Sequence, residues 1–101
     1  MDKKKRDSHL RNAFRKVWRW TDERRDCLKA TKCYACKLGK KKLFADHVDP
    51  AVDPKKGWEG WDVYYERMFE GKLQPLCAKC HNAKSRVENQ ERRRRKNERK
   101  N

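Results

Sequence analysis

Three groups of residues in this chain have types and spacing that could do chemistry. Cys33-Tyr34-Ala35-Cys36 and Cys77-Ala78-Lys79-Cys80 are CxxC pairs separated by 40 residues. A CxxC turn aims two sulfurs at one point, and two such turns complete a tetrahedral thiolate set around zinc. Asp46-His47 lies between the pairs, and His81 follows Cys80 directly. A four-thiolate zinc has no open coordination position and does no chemistry of its own. It acts as a staple, and its knuckles are expected to bring His81 near Asp46 and His47. A carboxylate and an imidazole would leave a second divalent ion open positions for water and phosphate oxygens. The remaining imidazole can serve as general base, because histidine is the side chain that exchanges protons near neutral pH.

Plainer readings stand beside these. The cysteines could form disulfides or a redox pair, but a redox CxxC belongs in a thioredoxin-like pattern that this sequence lacks. An Asp beside a His can be a hydrogen-bonded pair, and a His after CxxC can merely begin a helix. Cys27, the fifth cysteine, reads as a small core residue, and His9 has no role.

The elements that must position these residues have to be small. The chain has 101 residues, of which 35% are hydrophobic and 45% charged. One small domain is the limit, α+β by the helices and strand read along the chain, and a centre of about 60 residues is marginal on burial alone. Structural zinc can contribute on the order of 10–16 kcal/mol to such a fold. Ser8 reads as the cap of a helix over residues 8–20, with Leu10, Ala13, Phe14, Val17 and Trp18 on one face. Phe14 and Trp18 are expected to dock on the core rather than stack on bases. Thr21, followed by Asp22 and Glu23, starts a second helix over 22–30. Leu43–Val48 reads as a strand, and Pro50, Pro54 and Gly57 mark a loop. Trp61, Tyr64, Tyr65 and Met68 form a one-sided helix ended by Gly71, and a further helix continues from His81. Beyond about residue 90 that helix is expected to be solvated and fraying, with Glu88/Arg92 and Glu91/Arg95 as i, i+4 pairs. The domain therefore runs from 8 to 90, between a basic tail at 1–7 and a basic helix end or tail at 91–101.

Thirty Lys and Arg stand against fifteen Asp and Glu, a net charge of +15. Most of it lies in two arms. Met1–Trp20 holds eight basic and two acidic residues, and Lys84–Asn101 holds nine and three. Such an excess points to a polyanion, with counterions released from nucleic acid phosphates. The Arg92–Lys96 run reads as a solvated, non-specific phosphate-binding arm. No run of about 18 apolar residues exists to cross a membrane, and no apolar leader segment follows the basic start. The expected location is a reducing cytoplasm.

At this point the sequence resembles the HNH endonucleases of the ββα-metal fold. The resemblance rests on Cys33-x-x-Cys36, then Ala45-Asp46-His47-Val48-Asp49-Pro50, then Leu73-Gln74-Pro75-Leu76-Cys77-x-x-Cys80-His81-x-x-Lys84. It is closest to small phage-encoded members, which similarly carry a basic N-terminal helix and a Gly-Trp…Tyr…Arg-Met-Phe insertion like Gly57–Phe69. It implies a ββα core with N-terminal amphipathic helices and a helical insertion between the strands. It also implies that Asp46 and His81 hold a catalytic divalent metal such as Mg²⁺, Mn²⁺, Ni²⁺ or Co²⁺, and that His47 deprotonates the attacking water. The metal would stabilise the pentacovalent phosphate and the leaving 3′ oxygen, giving a 5′ phosphate and a 3′ hydroxyl. Lys84 matches the family pattern and is a possible phosphate contact. One position departs from that pattern. The family's middle Asn is Lys72 here, which removes a side chain thought to hold the base's strand. Lys72 could itself contact the scissile phosphate, and Asn82 could supply an alternative hydrogen bond or ligand.

The leading expectation is a monomeric, metal-dependent endonuclease that nicks double-stranded DNA, in a host cytoplasm if phage-encoded. The alternatives are a non-catalytic zinc module that binds nucleic acid, and a nuclease active only with phage terminase proteins in a packaging complex.

Overall fold

The computed structural model describes residues 1–40 and 42–100. Asn101, the end of the expected C-terminal tail, lies outside the described residues. The chain is α+β, with α1 (Lys3–Trp18), α2 (Asp22–Cys27), β1 (Phe44–His47), α3 (Trp61–Phe69), β2 (Leu73–Leu76) and α4 (Ala78–Lys100). β1 and β2 pair antiparallel, with Phe44 opposite Leu76 and His47 opposite Leu73. α3 is thus the insertion between the two strands, as expected. No helix among the described residues is long and apolar enough to cross a membrane.

The first helix starts earlier than Ser8. Asp2 is its cap, accepting from the Lys5 amide over 2.8 Å, so the expected tail at 1–7 is mostly helical. The Lys3–Arg6 run favours this because long basic side chains are good helix formers and nothing there breaks the helix. Thr21 divides α1 from α2. Its hydroxyl donates to the Trp18 carbonyl over 2.7 Å and accepts from the Arg24 amide over 3.4 Å. One side chain therefore satisfies orphan groups of both helix ends. α2 stops at Cys27 rather than 30, in a tight turn where the Lys29 amide bonds the Asp26 carbonyl.

Two small cores result. Cys33, Leu76 and Cys77 are buried together, with Cys36, Leu43 and Cys80 packed against them. Pro75 fits β2 because its carbonyl points away from β1 and accepts from the Tyr34 amide over 2.8 Å. Its missing N–H therefore costs no ladder bond. The second core is aromatic: Tyr64 and Met68 of α3 are buried, and Phe14 of α1 meets Trp61, Tyr64, Tyr65 and Phe69 at ring distances of 5.5 to 6.4 Å. Docking of Phe14 was expected, but Leu10 and Val17 of the same face stay exposed. Gly71 ends α3 where the chain passes so close to Arg67 that a side chain would sit 2.4 Å from its carbonyl oxygen.

α4 runs unbroken to Lys100 and does not leave the body at residue 90. Arg92 pairs with Glu88 at 3.8 Å, as expected, but Arg95 turns inward. Its guanidinium donates to the Asp53 carbonyl over 3.4 Å and lies over Gly57, where a Cβ would meet Arg95 Nη1 at 2.5 Å. Glu91 pairs with Arg94 instead.

The aromatic core yields a test. Phe14 is only half-buried, so Phe14→Ala should cost about 2 kcal/mol, below the range for full burial. Denaturant unfolding of the zinc-loaded protein measures it, and a cost under about 0.5 kcal/mol, the level of a neutral surface substitution, would mean α1 is not docked through this ring.

Candidate functional site

The site grows from the two knuckles. Residues 32–39 form a closed turn in which the Cys33 amide bonds the Leu38 carbonyl at 3.0 Å and the Lys37 amide bonds the Cys33 carbonyl at 2.9 Å. Lys37 takes a left-handed φ of 64° to close it. The second knuckle is a helix start. Cys77 precedes α4, its carbonyl accepts from the His81 amide at 2.9 Å, and Cys80 and His81 lie in the first turn. The ligand atoms of Cys33, Cys36, Cys77 and Cys80 all lie within 4.8 Å of one another. The four cysteines thus form a cluster that could hold a metal ion such as zinc.

Their acidities bear on how a cation would be held there. Amide N–H groups of Cys36 and Cys77 aimed at the Cys33 sulfur lower its pKa to about 6. Cys77 is also lowered, chiefly by the Cys80 amide. Cys80 is pushed up to about 12, first by sharing a proton with Cys77 and then by the other sulfurs around it. Some of the thiols ionise readily, and each thiolate formed opposes the next. Only a bound cation lets all four lose their protons. Cys27 lies outside this group, and burial raises its thiol pKa.

The knuckles place the start of α4 over β1. Asp46, 8% exposed, is the one buried charged residue among those described. Its Oδ2 accepts from Gln74 Nε2, directly across the sheet, at 3.0 Å, and lies 3.2 Å from Lys84 Nζ. Its Oδ1 lies 3.3 Å from His81 Nδ1. That nitrogen is buried and makes no hydrogen bond. The His81 ring is held flat against Phe44, 5.5 Å between centroids and 13° between planes. A carboxylate oxygen and an imidazole lone pair that face each other without a hydrogen bond repel unless a proton or cation stands between them. A proton on Nδ1 or a cation between the two atoms would relieve that contact.

His47 belongs to the same strand but makes different contacts. Its Nε2 lies 3.0 Å from the Met68 carbonyl of α3, and its ring packs on Trp18 at 4.5 Å. Arg24 in turn lies 5.6 Å over the Trp18 ring. Strand alternation sends neighbouring side chains to opposite faces. Asp46 thus meets α4, while His47 meets α1 and α3. The structure brings Asp46, His81 and Lys84 together and leaves the His47 side chain apart from them.

Of the expected phosphate contacts, Lys72 is exposed and its carbonyl accepts from the Val48 amide at 3.0 Å. Lys84 is largely covered and occupied by protein partners. Burial is the largest influence on its ammonium and opposes the charge, but contacts to Glu88 and Asp46 outweigh it and raise the pKa. Sequence reasoning missed Gln74, Glu88 and the Trp18 contact. Gln74 stands opposite Asp46 in the sheet register, and Glu88 is one turn beyond Lys84. The place of Gln74 was readable only once the strands were paired, whereas the i, i+4 spacing of Lys84 and Glu88 was open to a helix reading.

Compared with protein-family models, curated proteins and solved structures, this chain matches none.

Metal loading follows from the quartet. Zinc should bind at one equivalent per chain, and a chelator should unfold the protein. Cys77→Ser should weaken zinc more than Cys27→Ser, which lies outside the cluster. Affinity should fall as pH falls, because protons then compete for thiolates. Elemental analysis with circular dichroism across pH measures all of this, and a folded, metal-free wild type would exclude the zinc assignment.

Proposed function

We propose that this chain is a metal-dependent DNA endonuclease of the HNH type. The observation that carries the reading is the Asp46 Oδ1–His81 Nδ1 juxtaposition at 3.3 Å, with no hydrogen bond at that nitrogen. A strand–helix–strand–helix order supports it, with Asp46 on the first strand and His81 on the final helix. A divalent ion held there would supply Lewis-acid stabilisation of a phosphodiester in displacement.

The remaining work falls to the protein's own groups. The Met68 carbonyl can only accept, so His47 Nε2 donates to it. That fixes the neutral ring as the Nε2–H tautomer and leaves Nδ1 with the lone pair that would take a proton from water. DNA is held by charge. On α4, Lys79, Arg86 and Arg93 are exposed and recur every seven residues, on the side of the helix away from the body. Each can neutralise a phosphate without reading a base.

One observation favours a second reading. His47 contacts α1 and α3 while Asp46 and His81 contact each other, which suits a zinc module that binds nucleic acid without cutting it.

Supercoiled plasmid separates the two. With Mg²⁺, Mn²⁺, Ni²⁺ or Co²⁺ the zinc-loaded protein should nick it, and His47→Ala should lower the rate by about 10²–10⁴. Arg86→Gln and Arg93→Gln should weaken binding uniformly across sequences, each reducing the salt slope by about 0.9. Binding with no nicking in any of these metals would make the second reading the right one, and undiminished nicking by His47→Ala would remove His47 as the base.

A further inference from the structure

Lys84 matched the pattern of a phosphate contact, yet its ammonium is already fully engaged. Its side chain is 25% exposed, and its Nζ lies 3.2 Å from Asp46 Oδ2. It donates to the His47 carbonyl over 3.0 Å and pairs with Glu88, one helical turn along α4. An ammonium has three protons, and here three acceptors surround it. Glu88 is held in its turn by Arg92 at 3.8 Å, with its own side chain 18% exposed.

The three acceptors share a purpose. One is the carboxylate of the candidate metal ligand. Another is the main chain of the candidate base, at the last residue of β1. Glu88 anchors the lysine to α4. The His47 carbonyl would otherwise be a partly buried acceptor left wanting a donor where the strand ends. We propose that Lys84, held by Glu88, is a positioning residue: it fixes the Asp46 carboxylate and the His47 backbone relative to each other, and it does not bind the DNA phosphate. The catalytic half of this proposal rests on the endonuclease reading; the structural half does not.

The test uses zinc-loaded Lys84→Met, Glu88→Gln and, for comparison, Arg86→Gln, whose side chain lies on the exposed face of α4. Removing a group that orients a metal ligand costs about 10–100-fold in activity. Both Lys84→Met and Glu88→Gln should therefore lower kcat for plasmid nicking by that amount, with KM within about twofold. Arg86→Gln should instead act on KM and on salt dependence. Glu88→Gln is the decisive variant, because it removes a negative charge and a phosphate-contact role predicts equal or better DNA binding. A raised KM and shallower salt slope for Lys84→Met, with Glu88→Gln silent, would overturn the proposal. Should Lys84→Met fail to fold, Glu88→Gln carries the same prediction alone.

A second readout does not depend on activity. The amide signals of His47 and Val48 and the side-chain amide of Gln74 should shift in the NMR spectra of both variants. The Val48 amide should also exchange faster with solvent. Unmoved signals would overturn the proposal even if the wild type nicks DNA. A wild type that does not nick, with the signals shifted, would instead overturn the endonuclease reading and leave the positioning role standing.

Discussion

Four sulfurs forced to share one small volume are the constraint on which the rest of this structure depends. Among the described residues, Cys33, Tyr64, Met68, Leu76 and Cys77 are the buried apolar ones, and two of them belong to the quartet. A core this small gives up little water-exposed surface on folding and cannot offset the entropy of ordering the chain. The quartet does what apolar burial cannot. It joins a turn near residue 35 to the start of α4, and with a bound metal that link gains energy from metal–thiolate bonds. Without a cation, the same closeness works against folding, because thiolates repel and thiols bonded to one another hold less well. The geometry of the cluster is thus an argument for the metal as well as a place to put it.

Everything near Asp46 inherits its position from that link. The second knuckle sets the first turn of α4, so His81 comes over β1 and Lys84 follows one turn later. Pairing of β1 with β2 adds Gln74 from directly across. A buried carboxylate needs partners, and here they come from two separate stretches of chain, β2 and the start of α4. In a low-dielectric setting such an arrangement is costly when incomplete and well defined when complete. A buried aspartate with an amide, an ammonium and an imidazole around it is more than packing requires.

Much of this was legible in the sequence, and the exceptions have physical causes. The CxxC spacing located the cluster because the chemistry demands those residues at that separation. Thr21 and the Trp61–Met68 stripe marked helix boundaries through local rules of capping and periodicity. Ser8 misled because a competent cap, Asp2, stood six residues earlier and nothing between them stops a helix. The side of the sheet on which His47 lies was not legible. Adjacent residues on a strand diverge, but a pair read as a motif looks like a single unit. Gln74 was hidden for a related reason: 25 residues separate the strands, so no tight turn fixes their register.

The long basic helix was misread for a deeper reason. After residue 81 its only apolar residues are Ala83 and Val87, and Val87 is 60% exposed, so a hydrophobic reading sees an arm in solvent. Yet His81, Lys84, Ser85, Glu88, Glu91, Arg92 and Arg95 are all partly covered, at the spacing of one helical face. The helix docks through charge. Along that face Asp46, Lys84, Glu88 and Arg92 alternate in sign, and Arg95 finishes on the backbone at Asp53 and Gly57. An apolar stripe tolerates sliding, because one methyl group serves much like another. An alternating charged stripe does not, since a slip would set like charges together and leave donors unpaired. Polar docking therefore fixes the rotation of α4 about its axis. It follows that the exposed side chains Lys79, Arg86 and Arg93 point in a set direction relative to Asp46 and His81. On the proposed reading, in which nucleic acid is met through charge, a rigid set of cations would position the partner, whereas a frayed arm would only attract it.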